Sequence, residues 1–131
     1  MRLMFISILY STMILSACKP KSEFEFTEKM LQNIPDSVLN VDRMVDVMVD
    51  IHLAEAYVAE NKADTIPQEE RLKMFYAQVF AIHEIETKLY QNSYNYYVQE
   101  PVLMDHIYQK VTDKLNILEM QDLDISKQNK K

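Results

Sequence analysis

Glycine is absent from all 131 residues. Without it there is no Gly-rich phosphate loop, no dinucleotide-binding fingerprint and no Asn-Gly or Asp-Gly hairpin. Tryptophan is absent too, and Cys18 is the single cysteine, so neither a disulfide framework within the chain nor a cysteine-rich zinc site can be built. Only four prolines punctuate the chain. A sequence so poor in turn formers is most economically assembled from helices joined by short corners. What is present, 48% apolar and 26% charged residues, suits one globular unit and is too little for two sizeable cores.

Residues 1–17 have the form of an address. Arg2 gives a positive start, and an apolar run of 13 residues follows from Leu3 to Leu15. A membrane-spanning helix needs roughly 18 or more, so the run is expected to be a signal h-region. Leu15-Ser16-Ala17-Cys18 at its end resembles a bacterial lipobox, after which a diacylglycerol is attached to the cysteine sulfur and the chain is cut before it. Lipidation would also dispose of an unpaired thiol in an oxidising envelope. Two or more acyl chains, at roughly 0.8 kcal/mol per buried methylene, anchor a protein essentially for good. The expected partner of the mature chain is thus a membrane, reached through covalent lipid on Cys18.

Processing removes Arg2 and no acid, taking the formal charge from −6 to about −7. Such a balance disfavours nucleic acid and polybasic adhesion to anionic headgroups, which leaves the anchoring to the lipid. Residues 18–39 mix charges with Pro20 and Pro35 and show no sustained period, so they are expected to form a tether. Within it Phe24–Gln32 suits a short helix, with Phe24 and Phe26 available to fold back. Residues 40–119 form the expected helical domain and residues 120–131 a flexible polar tail.

The periodicity predicts an all-α bundle of about four helices. The first runs from about Val41 to Asn61, with Asn40 as N-cap and Asp42 near the positive end of the dipole. Asp42, Asp46, Asp50 and Glu60 fall on one side of it, while Met44, Val45, Val47, Met48, Ile51, Ala54 and Val58 cover much of the rest. The second starts near Pro67 and carries Leu72, Phe75, Tyr76, Val79 and Phe80 to about His83. The third, Thr87 to Val98, sets Tyr90, Tyr94 and Tyr97 in one stripe. Pro101 opens the last, where Met104, Tyr108, Val111, Leu115 and Leu118 form a regular seam.

Several of these residues also carry a resemblance. Met44-Val45-Asp46-Val47-Met48-Val49-Asp50-Ile51-His52-Leu53-Ala54-Glu55-Ala56 is similar to the opening helix of a lipoprotein family of unknown function widespread in Bacteroidota, domain of unknown function 4296. Phe75-Tyr76, Val79-Phe80 and His83 resemble its second helix, Ser93 and Tyr97 its third, and Pro101, Ile107-Tyr108, Val111 and Leu115 its fourth. The resemblance spans roughly Val38 to Leu118. It implies an all-helical envelope lipoprotein of the outer membrane and assigns no reaction. Members commonly place a glycine after the histidine of the second corner, where this chain has Glu84. The corner is therefore expected to bend differently, or the second helix to run on into the third. Surface-displayed lipoproteins of that phylum often carry acids after the lipidated cysteine. Lys19, Pro20 and Lys21 differ, which favours an orientation facing the periplasm.

His52 and Glu55 stand one turn apart, away from the Asp42, Asp46 and Asp50 side and among apolar neighbours, where burial would demand partners. Three readings are open for the pair: a structural polar network, a ligand or partner contact, or catalysis or metal binding. A di-metal carboxylate bundle needs two Glu-x-x-His helices, and this chain offers one His-x-x-Glu. His83-Glu84-Ile85-Glu86-Thr87 begins like a zinc-protease signature but has threonine where the second ligand must stand. Ser93 lies inside a helix, suited to close packing or a local hydrogen bond rather than to nucleophilic attack. No catalytic set, metal site or cofactor is therefore expected.

Tyr90, Tyr94, Tyr96, Tyr97 and Tyr108, with Tyr76, either close the bundle with hydroxyls at the water or line a groove apolar in its walls and polar at its rim. Asp42, Asp46 and Asp50 form either a solvated face or a contact for a basic partner. The leading expectation is a lipid-anchored, non-enzymatic module that holds another envelope protein, using Asp42, Asp46, Asp50, Tyr90, Tyr94 and Tyr97. The alternative is a small-ligand or metal-binding lipoprotein with a pocket around His52, Glu55 and the tyrosines.

Overall fold

The computed structural model describes residues 25–62 and 65–128. Cys18 and the proposed signal segment lie outside the described residues. Five helices follow in order: α1 (Glu28–Leu31), α2 (Val41–Glu60), α3 (Gln68–Ile82), α4 (Thr87–Val98) and α5 (Pro101–Gln128). Among the described residues there is no strand, and no helix is long and apolar enough to cross a membrane. The all-α bundle expected from periodicity is present in α2 to α5, with α1 as the short turn within the tether.

α2 is the central element. The Asn40 side chain accepts the Arg43 amide at 2.9 Å, closing its first turn as the sequence predicts. Its many valines are indifferent helix formers, and burial overrides that preference. Met44, Val45, Val47 and Val58 are sealed from solvent, each contributing about 1.5–3 kcal/mol of transfer free energy. α3 returns antiparallel to α2. Asp50 meets His83, Glu55 meets Tyr76 and the Val58 carbonyl accepts from Arg71, so one helix climbs while the other descends.

The corner after α3 departs from both expectations made for it. Glu84 itself takes the left-handed conformation, with φ of 52°. The Ile85 amide bonds the Phe80 carbonyl at 2.9 Å and the Glu84 amide bonds that of Ala81 at 3.1 Å, the two crossed bonds of a Schellman cap. Phe80 is in the core and Ile85 packs against it, in the two positions whose apolar burial usually goes with such a cap. The glycine geometry is retained without glycine, because these bonds and that contact offset the roughly 1–2 kcal/mol a β-carbon costs there.

α4 fastens the segment that leads into α2. Ser93 and Tyr97 are completely buried. The Ser93 hydroxyl accepts the Leu39 amide at 2.8 Å and donates to the Leu89 carbonyl at 2.7 Å, while the Tyr97 hydroxyl donates to the Leu39 carbonyl at 2.6 Å. Both backbone groups of Leu39 are thus satisfied by side chains of one helix.

α5 packs on α2 through Leu103, Met104, Ile107 and Val111, with Leu115 partly covered. The predicted seam is therefore displaced: Tyr108 and Leu118 are exposed, and Leu103 and Ile107 take their place inside. Phe26 does fold back, its ring stacked on His106 at 3.8 Å. Beyond Leu115 the helix runs clear of the body with Ile117, Leu118, Met120, Leu123 and Ile125 exposed. Residues 120–128 were expected in a flexible tail and are helical instead. Neither proline nor glycine interrupts them, and extending an existing helix needs no new nucleus.

Candidate functional site

Four helices contribute to one open groove. α2 supplies His52 and Glu55 with Met48 and Ile51 below them, α3 supplies Tyr76 and Phe80, α4 supplies Tyr90 and Tyr94, and α5 supplies Tyr108. The hollow they enclose measures about 300 Å³. Met48, Ile51 and Phe80 are buried and make an apolar floor, whereas His52 and Glu55 stand at the mouth with side chains 40% and 43% exposed. The pair expected among apolar neighbours is there, but those neighbours are the floor of a groove and not a closed core. The two side chains are half-exposed at its rim and not enclosed.

The polar atoms at the mouth are joined. His52 Nδ1 lies 3.3 Å from one oxygen of Glu55, and the Tyr76 hydroxyl donates to the other at 2.5 Å. Burial, then the bond to Glu55, pushes the Tyr76 phenol up to about 12. The Tyr90 phenol also rises to about 12, through burial first and neighbouring tyrosines second. Tyr108 is raised by burial and by the adjacent Tyr94 hydroxyl. All of these phenols stay protonated at neutral pH, so they act as hydrogen-bond donors and as aromatic surface. Phe80 and Tyr90 centroids are 5.2 Å apart and those of Tyr90 and Tyr94 6.2 Å, which makes a continuous aromatic wall. Among the described residues no serine, threonine, cysteine or lysine lines the groove. Its groups can bind, orient and exchange protons. Among the described residues no three His, Cys, Asp or Glu side chains are grouped to hold a metal ion.

The other candidate residues go elsewhere. Tyr97 leaves the predicted stripe: it is wholly buried and bonded to Leu39, so it presents no surface. Along α4 the same face meets the groove at Tyr90 and Tyr94 and the α2 lead-in at Tyr97. The acidic row is not bare, although its carboxylates stay 40–80% exposed. Asp42 accepts Lys110 Nζ at 2.6 Å, Asp46 accepts Lys114 Nζ, and Asp50 meets His83 Nε2 at 2.7 Å. Lys110, through its hydrogen bond and then its charge, holds the Asp42 carboxyl below its ordinary value. Those lysines were missed in the sequence, although Lys110 and Lys114 repeat the four-residue spacing of Asp42 and Asp46. Arg43 also reaches across, donating to the His83 carbonyl at 2.5 Å.

A helical bundle whose described residues open a tyrosine-lined groove defines the class of protein. The family model described as a domain of unknown function, DUF4296, matches residues 35–121, more than half of the chain, and the protein belongs to that family. No curated protein and no solved structure matches it.

Proposed function

We propose that the mature protein is a lipid-anchored, non-enzymatic interaction module of the cell envelope, on the outer membrane facing the periplasm, and that the aromatic groove is where it holds another envelope protein. The observation that carries this reading is the open groove itself: tyrosine rims over an apolar floor are the composition of protein contact sites. The lipobox-like run ending at Cys18 supports the anchor.

A photocrosslinking residue placed at Tyr94 in the native envelope should give one discrete protein adduct. The same residue at the exposed position Gln91 should give none. Uncrosslinked protein alone at Tyr94 would overturn the contact site, and an unacylated Cys18 in mass spectra of native material would overturn the anchor. A second reading, a small-ligand pocket, rests on the hollow's volume of about 300 Å³, at the lower end for small-molecule sites. It predicts a low-mass adduct at Tyr94 in place of a protein.

A further inference from the structure

Among the described residues Glu55 is the one carboxylate on the groove, and neither lysine nor arginine lines it. Its oxygens face groups without permanent charge: the Tyr76 hydroxyl at 2.5 Å and His52 Nδ1 at 3.3 Å. A carboxylate offers about four lone-pair positions. Two contacts leave accepting directions open on a side chain that is 43% exposed. This separates Glu55 from Asp42 and Asp46, each of which has a lysine of its own. The wall of Phe80, Tyr90 and Tyr94 stands beside it, and aromatic faces are negative. The site therefore joins a carboxylate that has no lysine or arginine beside it among the described residues to surfaces that favour a cation. The chain's formal charge of −6 draws basic partners towards it.

Among biological cations, guanidinium suits such a surface best. It is planar and weakly hydrated, and it stacks on aromatic rings while donating to a carboxylate; a lysine ammonium holds its water more strongly. We propose that the groove is a socket for an arginine side chain of the partner protein, an inference that rests on the groove being the contact site. The guanidinium lies on the tyrosine wall and donates to the open positions of Glu55, with its methylenes over Met48 and Ile51.

The test is titration of the full-length protein in non-ionic detergent with the N-acetyl amides of arginine, lysine and citrulline, and with choline, following tyrosine ring protons by NMR. Citrulline keeps the shape of arginine and lacks its charge. Arginine should shift Tyr90, Tyr94 and Tyr108 saturably, with citrulline about tenfold weaker and lysine between them. Glu55→Gln should reduce arginine affinity about tenfold, as should Tyr94→Leu, with helicity unchanged in both. Citrulline binding as tightly as arginine, choline binding more tightly, an indifferent Glu55→Gln variant, or no saturable response would each overturn the socket. Loss of the arginine response while the Tyr94 protein adduct persists overturns the socket alone; loss of the adduct as well overturns the contact site beneath it.

Discussion

The bundle contains two polar networks built from the same kinds of atoms and put to opposite uses. Around Leu39, Ser93 and Tyr97 are sealed from water and every bond has its partner inside the chain. Around Glu55, Tyr76 and His52 are only partly covered, and the carboxylate between them keeps accepting capacity facing a hollow. A closed network fixes the position of a segment. An open one of similar composition has its hydrogen-bonding left to be completed from outside, and residue type alone does not tell the two apart.

Breaking the closed network should have the largest effect. Ser93→Ala strands the Leu39 amide and Tyr97→Phe its carbonyl, so each should lose about 1–3 kcal/mol in urea unfolding. A loss below about 0.5 kcal/mol would show that water replaces the missing partner. Raising the pH attacks both networks. Burial pushes the phenols of Tyr76, Tyr90 and Tyr97 up to about 12 from an ordinary 10.0. The unfolded chain releases these protons first, so the stability they confer is complete below pH 10 and lost between about pH 10 and 12. Circular-dichroism melts across that window should show the decline, and Tyr97→Phe should make it shallower.

Glu84→Gly removes the β-carbon from the left-handed corner and should stabilise by about 1 kcal/mol. That corresponds to a melting temperature higher by roughly 4–8 °C; a lower one would mean that the Glu84 side chain contributes more than its backbone costs. The smallest effects belong to the exposed positions. Asp46→Asn should cost less than about 1 kcal/mol, and less still in high salt. Glu55→Gln should change stability by no more than about 0.5 kcal/mol. A much larger loss at Glu55 would make the open network a structural one and erase the contrast.

The helices were legible where the signal is local. Asn40, Pro67 and Pro101 mark starts to within a residue, and the apolar period identifies α2 as central. Local signals failed where a side chain's fate depends on a distant segment. Nothing near Tyr97 announces that Leu39 will lie against it, so a regular tyrosine stripe reads as one surface although its last ring is core. The acidic row reads as bare because its lysines follow 68 residues later. His52 and Glu55 were singled out from the helical wheel, but a wheel does not distinguish a core from a groove, which takes the divergence of other helices to open. At Glu84 the side chain argued against a left-handed corner, and the crossed bonds and the Ile85 contact prevailed.

The bonds at Leu39 also have a mechanical meaning. Tension along the leading segment that strips its outer contacts, the Phe26 stack among them, reaches this residue before the first turn of α2 and is transferred sideways into α4. Leu39 is a mooring point: once those outer contacts give way, the load stops there while the groove, on the far side of that cleat, keeps its shape.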